Sequence, residues 1–143
     1  MKALSIRQPW AWSIIRPDII GAEREQILGR RREDRQRFFK DFENRSWFSQ
    51  RTGDILIHAG KTIDKGAYEF LEEEFDMVVP APGDLLCGYV IGIVTIEAHR
   101  KYRESNSPWA FTAGFDLVNP RIITPFPYPG KLGFFEIPYE AAA

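Results

Sequence analysis

Leu85-Leu86-Cys87-Gly88-Tyr89-Val90-Ile91-Gly92-Ile93-Val94-Thr95-Ile96 is the longest apolar stretch of the chain, and its reading decides the fold. Twelve residues rich in Val, Ile and Tyr, interrupted by Gly88 and Gly92, predict one long buried strand that bends at its glycines. A long strand that bends is what a small closed barrel requires. Cys87, the single cysteine, lies in this run, so no internal disulfide and no cysteine-based metal cluster is expected. Its own reading is that of a small buried hydrophobe.

Working outward, Gly53-Asp54-Ile55-Leu56-Ile57-His58-Ala59 predicts a second strand, with a Gly-Asp turn entry followed by β-branched residues. Glu43 to Trp47 predicts a short strand that pairs with it. Residues 3–6 predict the first strand, and Pro9 opens a short helix over Trp10 to Arg16 that Pro17 stops. In Ile63 to Phe75 the apolar Tyr68, Leu71 and Phe75 fall at helical spacing, with acidic residues forming a solvated face. Pro80 to Asp84 is a loop. Further strands are expected at Phe111–Leu117, Arg121–Pro127 and Leu132–Ile137, with Tyr139 to Ala143 as a tail. The sum is one α+β domain spanning residues 1–143: a small, mostly antiparallel β-barrel with flanking helices. At 143 residues and 44% hydrophobic content the chain has material for one such core. Met1 to Gln8 is charged and unlike a signal sequence, and no apolar run reaches the roughly 20 residues of a membrane span, so a cytoplasmic protein is expected.

A net charge of −1 argues against nucleic acid only until its distribution is read. Residues 1–65 hold 14 Lys and Arg against 9 Asp and Glu, whereas residues 66–143 hold 5 against 11. A basic face can exist on such a molecule. Residues from about 17 to 39 read as a mobile, basic insertion with helical character, carrying Arg30, Arg31, Arg32, Arg35 and Arg37. Those arginines either grip a phosphate backbone or belong to a solvated helix.

Catalytic signatures are sparse. The two histidines, His58 and His99, lie in different elements, and there is no HxxxH, HExxH, GxSxG, P-loop or dinucleotide fingerprint. No metal site and no cofactor is expected. Gln8-Pro9-Trp10 sits at a strand-to-helix junction, where side chains can face a ligand; the alternative places Trp10 in the core and Gln8 on nearby backbone. Lys40, Glu43 and Arg45 bring a cation, a carboxylate and a guanidinium together around a strand entry, a group suited to a phosphate, a base edge or proton transfer, or else a structural salt bridge. Lys61, at the end of the clearest strand, is placed to meet a phosphate. Trp47 and Trp109 offer stacking faces or core packing.

Taken in order, Ala3-Leu4-Ser5-Ile6-Arg7-Gln8-Pro9-Trp10-Ala11, Lys40-Asp41-Phe42-Glu43-Asn44-Arg45-Ser46-Trp47, Gly53 to Lys61, Gly88-Tyr89-Val90-Ile91-Gly92, Ser107-Pro108-Trp109 and Gly130 to Phe135 resemble the ASCH domain family of the PUA-like superfamily. The resemblance covers most of the chain. It implies a PUA-like barrel with a cleft on one side that binds RNA or another nucleic acid; the residues read above as its contacts are Gln8, Trp10, Arg45, Trp47, Lys61, Arg30, Arg31 and Arg32. Similar proteins include amidohydrolases that deacylate N4-acetylcytidine with a Lys, a Thr three residues later and a Glu elsewhere; others are ribonucleases. Here the lysine falls on Lys40, Glu43 replaces the threonine, and Glu97 is the nearest candidate for the distant glutamate. If the protein is an enzyme, Lys40 and Glu43 are its catalytic pair. The replacement of a hydroxyl nucleophile by a carboxylate ranks binding above catalysis. Residues from about 17 to 39 lengthen the usual spacing between the first two motifs.

Overall fold

The computed structural model describes residues 1–47 and 49–140. The tail read from the sequence extends past this range, so its residues 141–143 lie outside the described ones, as does Phe48. The chain is α+β. Six strands, β1 (Lys2–Gln8), β2 (Phe42–Asn44), β3 (Gly53–Ile63), β4 (Tyr89–Arg100), β5 (Gly114–Pro127) and β6 (Phe134–Glu136), form one sheet in the order β2-β5-β4-β3-β1-β6. Among the described residues four short α-helices accompany it: α1 (Trp10–Ile15), α2 (Gly21–Leu28), α3 (Arg32–Arg35) and α4 (Gly66–Phe75).

The sheet is mixed and open, which corrects the expected closed barrel. β1 and β3 run parallel while the other ladders are antiparallel. The parallel pair follows from the long connection through α1, α2, α3 and β2, since a parallel neighbour needs a crossover. β2 and β6 are three-residue edge strands with no ladder between them. The sheet nevertheless curls until its ends meet through side chains: Phe115 of β5 and Phe134 of β6 lie 5.7 Å apart, and Trp47 packs edge-on against both at 5.5 and 5.4 Å. β6 pairs with β1 only as far as Leu4, and the next carbonyl, that of Ser5, accepts a hydrogen bond from Arg45 instead. A guanidinium takes the place of the missing rungs.

The long apolar stretch does form a strand, starting four residues later than its apolar boundary, at Tyr89. It is irregular against β5, with register shifts at Val90/Gly92, Ile93/Thr95 and Ile96/Ala98. Gly92 is required by packing: a Cβ there would lie 2.6 Å from Ile15 Cδ1 and 2.7 Å from the Arg121 carbonyl, so α1 rests directly on the sheet. The strands expected at 111–117 and 121–127 are one strand, β5, which continues through Asn119 in a left-handed conformation. β2 pairs with β5 and not with β3, against the sequence reading. The reason is side-chain alternation: Phe42 enters the Trp12–Leu71–Met77–Trp109 cluster and Asn44 bonds the Trp109 carbonyl, fixing β2 on the far side of the sheet from β3.

The segment read as a mobile arm is packed. Ile19, Ile27 and Phe39 form a small core of their own. Arg24 is buried, and its guanidinium donates to the carbonyls of Arg16, Ile19 and Pro120. Arg16 holds Asp18 and the Phe38 carbonyl. Arg24 of the segment and Arg16 just before it are therefore structural.

Candidate nucleic-acid-binding cleft

Past the reach of β6, the C-terminal half of β1 and the end of β2 leave a cleft of about 280 Å³ lined by Ser5, Ile6, Arg7, Trp10, Lys40, Glu43, Asn44, Arg45 and Phe111. Its position follows from local structure. Alternation along β2 sends Phe42 and Asn44 toward Trp109 and leaves Glu43 and Arg45 to face β1. Lys40 is delivered by the last turn of the 17–39 segment, where its backbone N–H donates to the Ser13 carbonyl of α1.

The charged centre is tight. Lys40 is 4% exposed and its Nζ donates to Glu43 Oε1 at 2.6 Å. Arg45 Nε stands 3.1 Å from Glu43 Oε2, an ion pair at an angle outside hydrogen-bond geometry, while Arg45 Nη2 donates to the Ser5 carbonyl at 3.0 Å. One carboxylate thus serves two cations, leaving net positive charge at the cleft. The Lys40 Nζ also lies 5.7 Å from the Trp10 ring centroid, within cation–π range. Trp10 is pinned by its Nε1 donating to Asp64 Oδ2 at 2.9 Å, and Arg7 reaches the same carboxylate oxygen at 3.6 Å.

Behind Lys40, its neighbour Asp41 faces the opposite way. Its carboxylate accepts from Arg32, Gln36 and Ser107, and Arg32 also reaches Asp116, which Arg100 binds at 2.7 Å. Burial works against the Arg32 charge, yet bonds and attraction from Asp41 and then Asp116 prevail and hold its pKa above the ordinary guanidinium value. The motif therefore does two jobs: Lys40, Glu43 and Arg45 furnish the cleft, and Asp41 ties it to the 17–39 segment.

The remaining candidates separate. Gln8 is buried outside the cleft, its amide consumed by the Trp12 N–H at 2.8 Å and the Leu86 carbonyl at 2.9 Å. Of Gln8-Pro9-Trp10 only Trp10 lines the cleft. Trp109 is fully buried, stacked on Phe75 at 3.7 Å, with its Nε1 bonded to the Gln36 carbonyl. Arg31 pairs with Asp34 and Arg30 lies over Phe38, both exposed. Lys61 is exposed on β3. Glu97 is exposed and lines a second groove, between β4, β5 and the 17–39 segment, whose lining includes Lys40 as well. Among the described residues no group of three or more His, Cys, Asp and Glu side chains is arranged to hold a metal ion, and no helix is long and apolar enough to cross a membrane.

Five lining residues carry no role in the sequence reading: Ser5, Ile6, Arg7 and Asn44 stand inside the quoted motifs without one, and Phe111 is read only as the start of a strand. No protein-family model and no curated protein sequence matches the chain.

Proposed function

We propose that this chain binds nucleic acid, RNA in the first instance, by seating one unpaired base or nucleotide in the cleft formed by Trp10, Lys40, Glu43 and Arg45. The observation that carries the reading is the pairing of the buried Lys40–Glu43 ion pair and the half-buried Arg45 guanidinium with an aromatic wall in a cleft of about 280 Å³. That volume lies at the small end of ligand pockets, a fit for one base or nucleoside. Bases splayed from a single strand are read in this way, by stacking and by hydrogen bonds along their edges. The likeness of the motifs to ASCH domains, and through them to PUA-like nucleic-acid-binding folds, supports the same assignment. Lys40 engaged with Glu43 as an ammonium is a donor to a ligand, whereas a base or nucleophile must first give that proton up. Arg30, Arg31 and Lys61, all exposed, are the phosphate-contacting cations of this proposal.

The test is fluorescence anisotropy of a labelled single-stranded RNA against a salt series. Three phosphate contacts give a log–log slope of about −2 to −3, a loss of roughly 20- to 60-fold in affinity between about 50 and 200 mM salt. Affinity unmoved over that interval rules out the phosphate contacts. A second reading, hydrolysis of an acylated nucleoside, is favoured by the 2.6 Å Lys40–Glu43 contact, which already stands at proton-transfer distance. It requires turnover of N4-acetylcytidine that Lys40→Ala abolishes.

A further inference from the structure

Phe111 is 54% exposed and lines the cleft. It does not sit on a loose loop. Asn44 Oδ1 accepts from the Phe111 N–H at 2.7 Å and from the Thr112 N–H at 3.1 Å, while Asn44 Nδ2 donates to the Trp109 carbonyl at 3.0 Å. One side chain thus fixes the backbone on both sides of Phe111. The residue after β2 adds a further tie, the Arg45 N–H donating to the Ala113 carbonyl at 2.8 Å. Below the loop, Trp109 is locked against Phe75, and Phe70 lies 5.4 Å from Phe111 and 5.9 Å from Trp10. The two rings that line the cleft, Trp10 and Phe111, therefore share one aromatic support.

A half-exposed ring on a loop whose backbone is held by four directed hydrogen bonds, at the edge of a positive cleft, has the properties of a stacking platform. It loses little entropy on binding because its backbone is already fixed. It accepts any base, because every base has a π-face. We infer that Phe111 is a base-stacking residue for single-stranded nucleic acid and that Asn44 is the residue that positions it. The inference rests on the nucleic-acid reading of the same cleft and adds to it the surface that holds the base. It also gives Asn44 a place in the Lys40–Arg45 motif: Lys40, Glu43 and Arg45 supply charge, and Asn44 supplies the aromatic face by way of the 109–112 loop.

The experiment compares two probes on the intact chain, a short mixed-sequence single-stranded RNA and an abasic ribose-phosphate oligomer of the same length and charge. The wild-type protein is expected to bind the RNA more tightly than the abasic oligomer. Phe111→Ala is expected to weaken RNA binding by about 5- to 150-fold, the measured range for loss of one stacked base, with abasic binding unchanged. Phe111→Trp keeps the RNA preference. Asn44→Ala shifts the same ratio in the same direction as Phe111→Ala, a readout that general loss of structure does not move, since that lowers both affinities together. If Phe111→Ala leaves salt-sensitive RNA binding within about two-fold of wild type, the stacking assignment is wrong and the cleft reading stands. A parallel fall of both affinities in Phe111→Ala also overturns it, because Phe111 is then a structural residue. If the wild-type protein binds neither probe, the nucleic-acid reading fails and this inference fails with it.

Discussion

Replacing Lys40 and Glu43 together by apolar residues should leave the fold standing while abolishing ligand binding, and the structure sets the size of each step. Glu43 is the only carboxylate bonded to Lys40 among the described residues, and Lys40 is 4% exposed. Glu43→Leu therefore strands a buried ammonium, a change that costs about 3–5 kcal/mol. For a chain of this length that is a fall in Tm on the order of 10–20 °C. Lys40→Met is milder, because Glu43 keeps Arg45 at 3.1 Å; the loss is that of one charged hydrogen bond, about 1.5–3 kcal/mol. In Lys40→Met/Glu43→Leu the buried Lys40–Glu43 pair is gone, and Arg45, with its side chain 26% exposed, retains the Ser5 carbonyl. Exchanging a buried pair for well-packed hydrophobes is often neutral or stabilising, so the double variant should recover to within about 1 kcal/mol of wild type. Urea denaturation of the four proteins closes the cycle and yields a coupling energy of several kcal/mol. Anisotropy with single-stranded RNA then reports binding, expected to be lost in the double variant. If the loss in the double variant equals the sum of the two single losses, the two groups are not coupled and the account of the cleft's charge is wrong. If it binds RNA like wild type, the pair is structural.

Gly114 tests the strand that carries the cleft: a Cβ there would collide with the Glu43 carbonyl and come within 2.7 Å of Phe42 Cε1, so Gly114→Ala must push β2 off β5. A loss of at least about 2 kcal/mol is expected, with weakened RNA binding alongside it, and a variant with wild-type urea midpoint and affinity would refute the packing argument. His58 supplies the pH dependence. It is buried, its Nε2 donating to the Tyr128 carbonyl and its Nδ1 accepting from the Ser5 hydroxyl, and burial holds its pKa below the ordinary imidazole value against the raising effect of the Tyr128 bond. The folded state thus favours neutral imidazole, so this contribution is complete above about pH 6.5 and is lost as the pH falls below that value toward the depressed folded-state pKa. Tm measured from pH 8 to 5 should drop below about 6.5 in the wild type and less steeply in His58→Gln; equal slopes would sink the assignment.

Local physics was legible in the residues. Gly-Asp followed by Ile55, Leu56 and Ile57 specified a strand, Pro9 marked the start of α1, and the spacing of Tyr68, Leu71 and Phe75 specified an amphipathic helix. The grouping of Lys40, Glu43 and Arg45 was also readable, because residues this close in sequence can meet without any long-range contact. Composition and spacing carry that much, and the α+β class follows from it.

Only the tertiary structure decided which partners these elements take. Whether β2 lies beside β3 or beside β5 depends on the buried cluster around Trp109, contributed by residues some 65 positions away in the case of the Asn44 bond. Gln8 looked like a ligand contact until Leu86, 78 residues on, took its amide. The arginines of residues 17–39 looked alike as charges, yet Arg24 is buried on backbone carbonyls and Arg32 is bound between Asp41 and Asp116, while Arg30 and Arg31 face solvent. The glycines of the long apolar run predict a bend, but closure is not theirs to set: it needs edge strands long enough to pair, and β2 and β6 have three residues each. A side chain's type fixes what it can bond. Its use is set by whichever group from elsewhere in the chain arrives within about 3 Å, and that is a property of the folded chain alone.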